Sequence, residues 1–205
     1  MSRAILWCIL CVGLAAHGQV QWNKTLSDLE LRGITIDMRF IQGLQLSTHA
    51  SKDVLLNTKS EGEYQMQYVV VTQQEDQWLT VYPQRVPAFN SLNDKLSAHK
   101  VIAMTLEMRI PEAVLVEIEA RQGKLEVSGL YRELNVQLDE GSLVLSHRAE
   151  QSTIKTKTAA VHLNVPSGHL DSHLEKGQIF GAIKPNDNYR YTVSSQSGSL
   201  YLNQL

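Results

Sequence analysis

Cysteine is almost missing from this sequence: the two that occur, Cys8 and Cys11, both fall within the first 18 residues. Downstream of them no disulfide can form, so the rest of the chain holds its fold by packing alone. Basic residues are also too few for a nucleic-acid partner. Lys and Arg number 19 against 21 Asp and Glu, a net charge of −2, whereas nucleic-acid recognition calls for a basic face. Past residue 18 no apolar run reaches the roughly 20 residues of a membrane-spanning helix. A G-x-S-x-G nucleophile elbow and the glycine-rich phosphate cradles G-x-x-x-x-G-K and G-x-G-x-x-G are likewise absent. Nothing here argues for an enzyme, and no cofactor is expected.

What is present begins with MSRAILWCILCVGLAAHGQ: a positive charge at Arg3, an apolar run from Ala4 to Ala16, and small residues at Ala16 and Gly18. That layout predicts a secretory signal peptide over residues 1–18. Neither cysteine has the small residue before it that a lipid-anchor cleavage site would want. Removing the segment leaves 187 of the 205 residues, with 18 Lys and Arg against 21 Asp and Glu. Residues 19–205 are then one domain with a substantial core. The protein is expected to be exported, to the periplasm or to the cell surface.

Apolar residues then recur at every second position, the period of a half-buried strand. Ile34, Ile36, Met38 and Phe40 alternate with polar residues, as do Leu106, Met108 and Ile110. Val69, Val70 and Val71 form a continuous run that fits a strand buried on both faces. Residues 83–100, with two prolines and the turn-forming 90-NSLND-94, interrupt the alternation. This long connection separates a less regular front half, residues 29–82, from a more regular back half, residues 101–205. The front half is the candidate cover for an open sheet end, and the connection a candidate lid or edge cover.

The back half repeats. Anchored on Gly123, Gly141, Gly168, Gly177 and Gly198, positions seven before and two after are apolar or aromatic throughout, and positions five before and four after mostly so. The unit is apolar-x-apolar-x4-Gly-x-Leu-x-apolar. Alternation sends the apolar side chains to one face, and glycine lets the chain turn or approach a neighbouring backbone closely. The glycines lie 18, 27, 9 and 21 residues apart, mostly multiples of nine. The off-register last interval points to a slip or insertion near 184-KPNDN-188. The expected fold is all-β, glycine-punctuated strand repeats forming a β-solenoid or an elongated β-sandwich.

These units, entered through 101-VIAMTLEMRIPEAVLVEIEARQGKLEVSG-129, resemble the bacterial putative-adhesin β-strand-repeat family. Apolar strand, Ile110-Pro111, Val114, Val116 and then a glycine-led strand is the phrase that carries the likeness, which covers residues 101–205 well and 31–82 loosely. The resemblance implies an exported domain, adhesion by analogy, and no catalytic residues.

Local chemistry is sparse. In 169-HLDSH-173, His169, Asp171 and His173 share one strand face, a donor set suited to a transition metal; exposed alternating polar residues are equally what any half-buried strand displays. No metal is expected there. Glu117, Glu119 and Glu126 offer a carboxylate patch that could work on glycosides or hold calcium, or be a solvated face. Lys155 and Lys157 read as charges that discourage edge pairing. Aromatics make up only 6 % of the chain, and Trp78, Tyr82 and Phe89 beside the long connection are the candidate ligand contacts.

The expected function is therefore non-catalytic: an adhesin-like binding protein or an envelope scaffold, with a cell-surface glycan or an envelope protein as partner. A β-helix-type carbohydrate-active enzyme and a periplasmic accessory or sensor protein are the alternatives.

Overall fold

The structure, a computed structural model, describes residues 20–61, 67–87 and 103–204. The expected signal peptide and Phe89 lie outside the described residues, as does most of the long connection. Its first residues, Pro83 to Arg85, instead complete a strand.

All the regular structure described is β. In chain order the strands are β1 (Val20–Leu26), β2 (Gly33–Asp37), β3 (Gly43–His49), β4 (Val54–Glu61), β5 (Tyr68–Glu75), β6 (Trp78–Arg85), β7 (Ala103–Pro111), β8 (Leu115–Thr156), β9 (Ala160–Val165), β10 (His169–Leu174), β11 (Ile179–Gly181), β12 (Arg190–Ser195) and β13 (Leu200–Gln204). Together they make one open 13-stranded sheet.

The 42-residue β8 carries the organisation. Its first run, Leu115–Glu119, lies parallel to β2, and its second, Lys124–Val127, parallel to β3. Later runs of the same strand lie parallel to β9 (Ser142–Leu145) and β12 (Gln151–Thr156). The chain therefore turns a corner between runs and returns 18 residues on, the interval from Gly123 to Gly141. A Cβ on Gly141 would collide with the carbonyl oxygen of Gly123, and φ is +117° at Gly141. Only glycine supplies both the positive φ and the close approach. Gly198 stands against the carbonyl oxygen of Ala159, and Gly177 against that of Gly198. The glycine punctuation is thus a column of corners stacked one on another.

Between corners, alternation fills the core. Val116, Ile118, Leu125, Val127, Leu134, Val136, Leu143 and Leu145 are all at most 2 % exposed and belong to one apolar cluster. Each inward pair is backed by the same pair one coil on, so every unit is buried by its neighbours.

Spatial order departs from chain order at the far end. β10 and β11 pair with β12 and β13, and those two pair with β8 and β9. The last coil is inserted between the two that precede it. The irregular spacing read as a slip near residues 184–188 is where the chain doubles back, pinned by the Ser167↔Lys184 bridge. Ile179, expected inward, is 47 % exposed because β11 is the outermost rung.

The near end is built differently. β1 and β4 run antiparallel on one side, β5 and β6 on the other. Lys24 Nζ of β1 donates to Thr72 Oγ1 of β5 at 2.6 Å, tying the two terminal strands across the end of the core. Val69–Val71 is not buried on both faces: β5 is an edge, with Val69 48 % and Val70 4 % exposed. Nor do Lys155 and Lys157 guard an edge. The run Gln151–Thr156 is flanked by β12 inside the sheet, and Lys157 pairs with Asp139 Oδ2 at 2.7 Å.

Candidate functional site

On the outward side of the strands around β3 and β9, residue pairing lines up a transverse row. Asn57 of β4 pairs with Glu107 of β7, Glu107 with Gln45 of β3, and Gln45 with Glu126 of β8. Farther along, Val144 pairs with His162, His162 with Tyr201, and Tyr201 with Phe180. Inward neighbours such as Leu125, Leu163 and Leu200 are buried, so this row faces out.

One end of the row is aromatic. His162 stacks on Tyr201 with centroids 4.6 Å apart and planes 9° off parallel, and Tyr201 on Phe180 at 5.0 Å and 13°. Parallel in-register strands lie about 4.8 Å apart, so flat rings at equal height stack. Phe180, at the end, is 45 % exposed. Two residues along the strands runs a polar ladder: Asn203 Nδ2 donates to Asn164 Oδ1 (2.8 Å), and Asn164 Nδ2 to Ser146 Oγ (3.1 Å).

The other end of the row is a shallow polar groove where Asn57 donates to Glu107 (3.3 Å) and Lys124 pairs with Glu126 (2.7 Å). Beside it, Gln45, Ser47, Glu126, Ser128, Val144 and Ser146 line a second depression that leads toward the aromatic stack. The whole is a continuous outward platform, with flat apolar rings at one end and hydrogen-bonding groups beside and beyond them.

The residues singled out in the sequence lie elsewhere. Trp78 begins β6 on the other run of the coil; its ring covers Gly33 and its indole N–H donates to Thr35 Oγ1 (2.9 Å), a packing role. Tyr82 follows on the same strand, half-buried, opposite Val71 of β5. His169, Asp171 and His173 project side by side, exposed, from β10. Among the described residues no group of three or more His, Cys, Asp or Glu side chains could hold a metal ion. Glu117 accepts from Thr35 Oγ1 (3.2 Å) beside β2, whereas Glu126 stands past the Gly123 corner beside β3, so the three glutamates form no common patch.

Two residues that the sequence left as scattered have defined places. His162 is in the stack, and His147 is 2 % exposed at the opposite corner, its Nε2 2.6 Å from Ser152 Oγ. Tyr131 and Tyr191 meet its ring edge-on at 6.1 and 5.6 Å. Burial holds its pKa down at about 4, so the imidazole is neutral. It is part of the core. The signal for the stack was legible as an offset: Phe180 and Tyr201 stand three residues after Gly177 and Gly198, the outward position between two inward ones.

Fold and site define a class: an all-β protein of stacked parallel runs with an outward binding face. No model of a known protein family and no curated protein sequence matches the chain. Among solved structures, it is similar to a putative cell adhesion protein from Clostridium sporogenes at 15 % identity and a TM-score of 0.57, over 92 % of this chain and 100 % of that one. Putative adhesins from Bacteroides fragilis (10 % identity, 91 % and 98 % covered) and Parabacteroides distasonis (11 %, 89 % and 97 %) superpose more loosely, at TM-scores of 0.39 and 0.33. The likeness to the putative adhesins holds in the fold, and rests on the first of these. Among the described residues no helix is long and apolar enough to cross a membrane.

Proposed function

We propose that this protein is an exported, non-catalytic binding protein of the cell envelope, and that its outward platform takes an extended glycan. The observation that carries the reading is the stack of His162, Tyr201 and Phe180 set in register beside the Asn203–Asn164–Ser146 ladder. Sugar rings present an apolar face and a rim of hydroxyls. Flat aromatic rings cover the first, and amides and hydroxyls, which both donate and accept, meet the second. Repetition at the strand spacing offers several such contacts along one polymer, and the shape is open rather than enclosed.

The coil-by-coil register, one run to each side every 18 residues, supports a β-solenoid over an elongated sandwich. Separation of the glutamates by the Gly123 corner favours binding over glycoside hydrolysis. The leader-like residues 1–18 support export. The test is a glycan panel followed by calorimetry on the best binder, comparing wild type with Tyr201→Ala. Replacing the central ring is expected to weaken binding about tenfold or more; a wild type that binds no glycan, or a variant that binds as well, would contradict the reading.

A further inference from the structure

The two ends of the stack differ. At the near end, terminal strands are tied across the core by Lys24 and Thr72. Among the described residues nothing pairs with the far edge, where β10 contacts only β12 and β11 only β13. β10, HLDSHL, carries neither lysine nor proline, the usual guards of an exposed edge. Ile179 and Phe180 on the same rung are 47 % and 45 % exposed.

The backbone fixes which residues face the open side. His169 and Glu175 donate their N–H groups inward to the carbonyls of Tyr189 and Ser195 (2.8 and 3.0 Å). Hydrogen-bonding groups alternate sides along an extended strand. Leu170, Ser172 and Leu174 therefore turn theirs to the open edge.

We propose that the edge is occupied by a second copy of this chain, with β10 paired antiparallel to β10 of the other copy about a two-fold axis at Ser172. In that register Ser172 faces itself and Leu170 faces Leu174, each a hydrogen-bonded pair, as the outward groups require. The intervening residues form the closer, non-hydrogen-bonded pairs, with Cα atoms about 4.5 Å apart. They match: Asp171 faces His173 of the second copy and His169 faces its Glu175, each contact made twice by symmetry. Moving the axis to Asp171 would set two carboxylates and two pairs of histidines against one another. Charge complementarity thus selects one register and names the occupant, because only another HLDSHLE strand supplies the matching set. Leu170 and Leu174, half-buried in one copy, continue the apolar column into the other. The same exposed His-Asp-His row that holds no metal acquires a use.

The test is light scattering coupled to size-exclusion chromatography on the full chain, with circular dichroism as the check of folding. Wild type is expected to be a dimer. Asp171→Lys, which sets Lys against His173, is expected to weaken the dimer about tenfold or more, and the exchanged pair Asp171→His/His173→Asp to retain it. Ser172→Pro, which removes an N–H directed at the second copy, is expected to run as a folded monomer. A monomeric wild type would overturn the proposal, as would a dimer that Asp171→Lys and Ser172→Pro both leave intact. Glycan binding is read separately, so either idea can fail alone.

Discussion

The α-carbon of Gly141 rests against the carbonyl oxygen of Gly123, one coil earlier in the chain. The contact repeats at Gly198 on Ala159 and at Gly177 on Gly198. This column sets the distance at which successive coils stack, and hence the height at which outward side chains meet their neighbours. Gly141→Ala is expected to destabilise the protein by about 2 kcal/mol or more, since it adds a positive-φ strain and a backbone collision. Ala159→Gly, at the equivalent corner where the chain already accepts a Cβ, is expected to cost about 1 kcal/mol or less. Urea denaturation measures both, and equal effects would mean that corner spacing is not set by this contact.

Face assignment can be tested one residue apart. Leu143 is fully buried and Ser142 partly exposed on the same run of β8. Leu143→Ala is expected to cost about 2 to 5 kcal/mol through lost burial and a cavity, and Ser142→Ala under about 0.5 kcal/mol. Comparable losses in equilibrium unfolding would contradict the arrangement.

His147 gives the core a pH dependence. Its pKa is held at about 4 in the folded protein against an ordinary 6.5, by burial. The unfolded chain therefore binds the extra proton first. Stability contributed by the neutral ring is fully present above pH 6.5 and is lost as pH falls toward 4, by on the order of 3 kcal/mol. His147→Gln should flatten that part of the stability profile while lowering stability at neutral pH. A wild-type profile as flat as the variant's between pH 6.5 and 4 would count against a buried, neutral imidazole.

Much of the fold could be read from the residues because a stacked coil writes its corners and its inward pairs at fixed offsets. Val116, Leu125, Leu134 and Leu143 are buried where the glycine anchors put them. The order of the coils could not be read: like units present like apolar faces, so each fits against several others, and the inserted final coil leaves Ile179 on an outer rung. Val69–Val71 misled because an apolar run looks the same at an edge as at a centre. The aromatic stack was half legible. Phe180 and Tyr201 carry a glycine three residues earlier, but His162 is anchored on Ala159, which no search for glycine finds. Trp78 drew notice as a large aromatic near a loop, whereas its ring is taken up covering Gly33.

The central claim is that ligand lies on the platform of His162, Tyr201 and Phe180. The most direct measurement is backbone and side-chain NMR of the labelled protein during titration with the best-binding glycan. The account predicts that the largest shift changes fall at His162, Asn164, Phe180, Tyr201 and Asn203, fading toward Gln45 and Glu126. Changes centred instead on Thr35, Trp78 and Tyr82, on the other run of the coil, would contradict it.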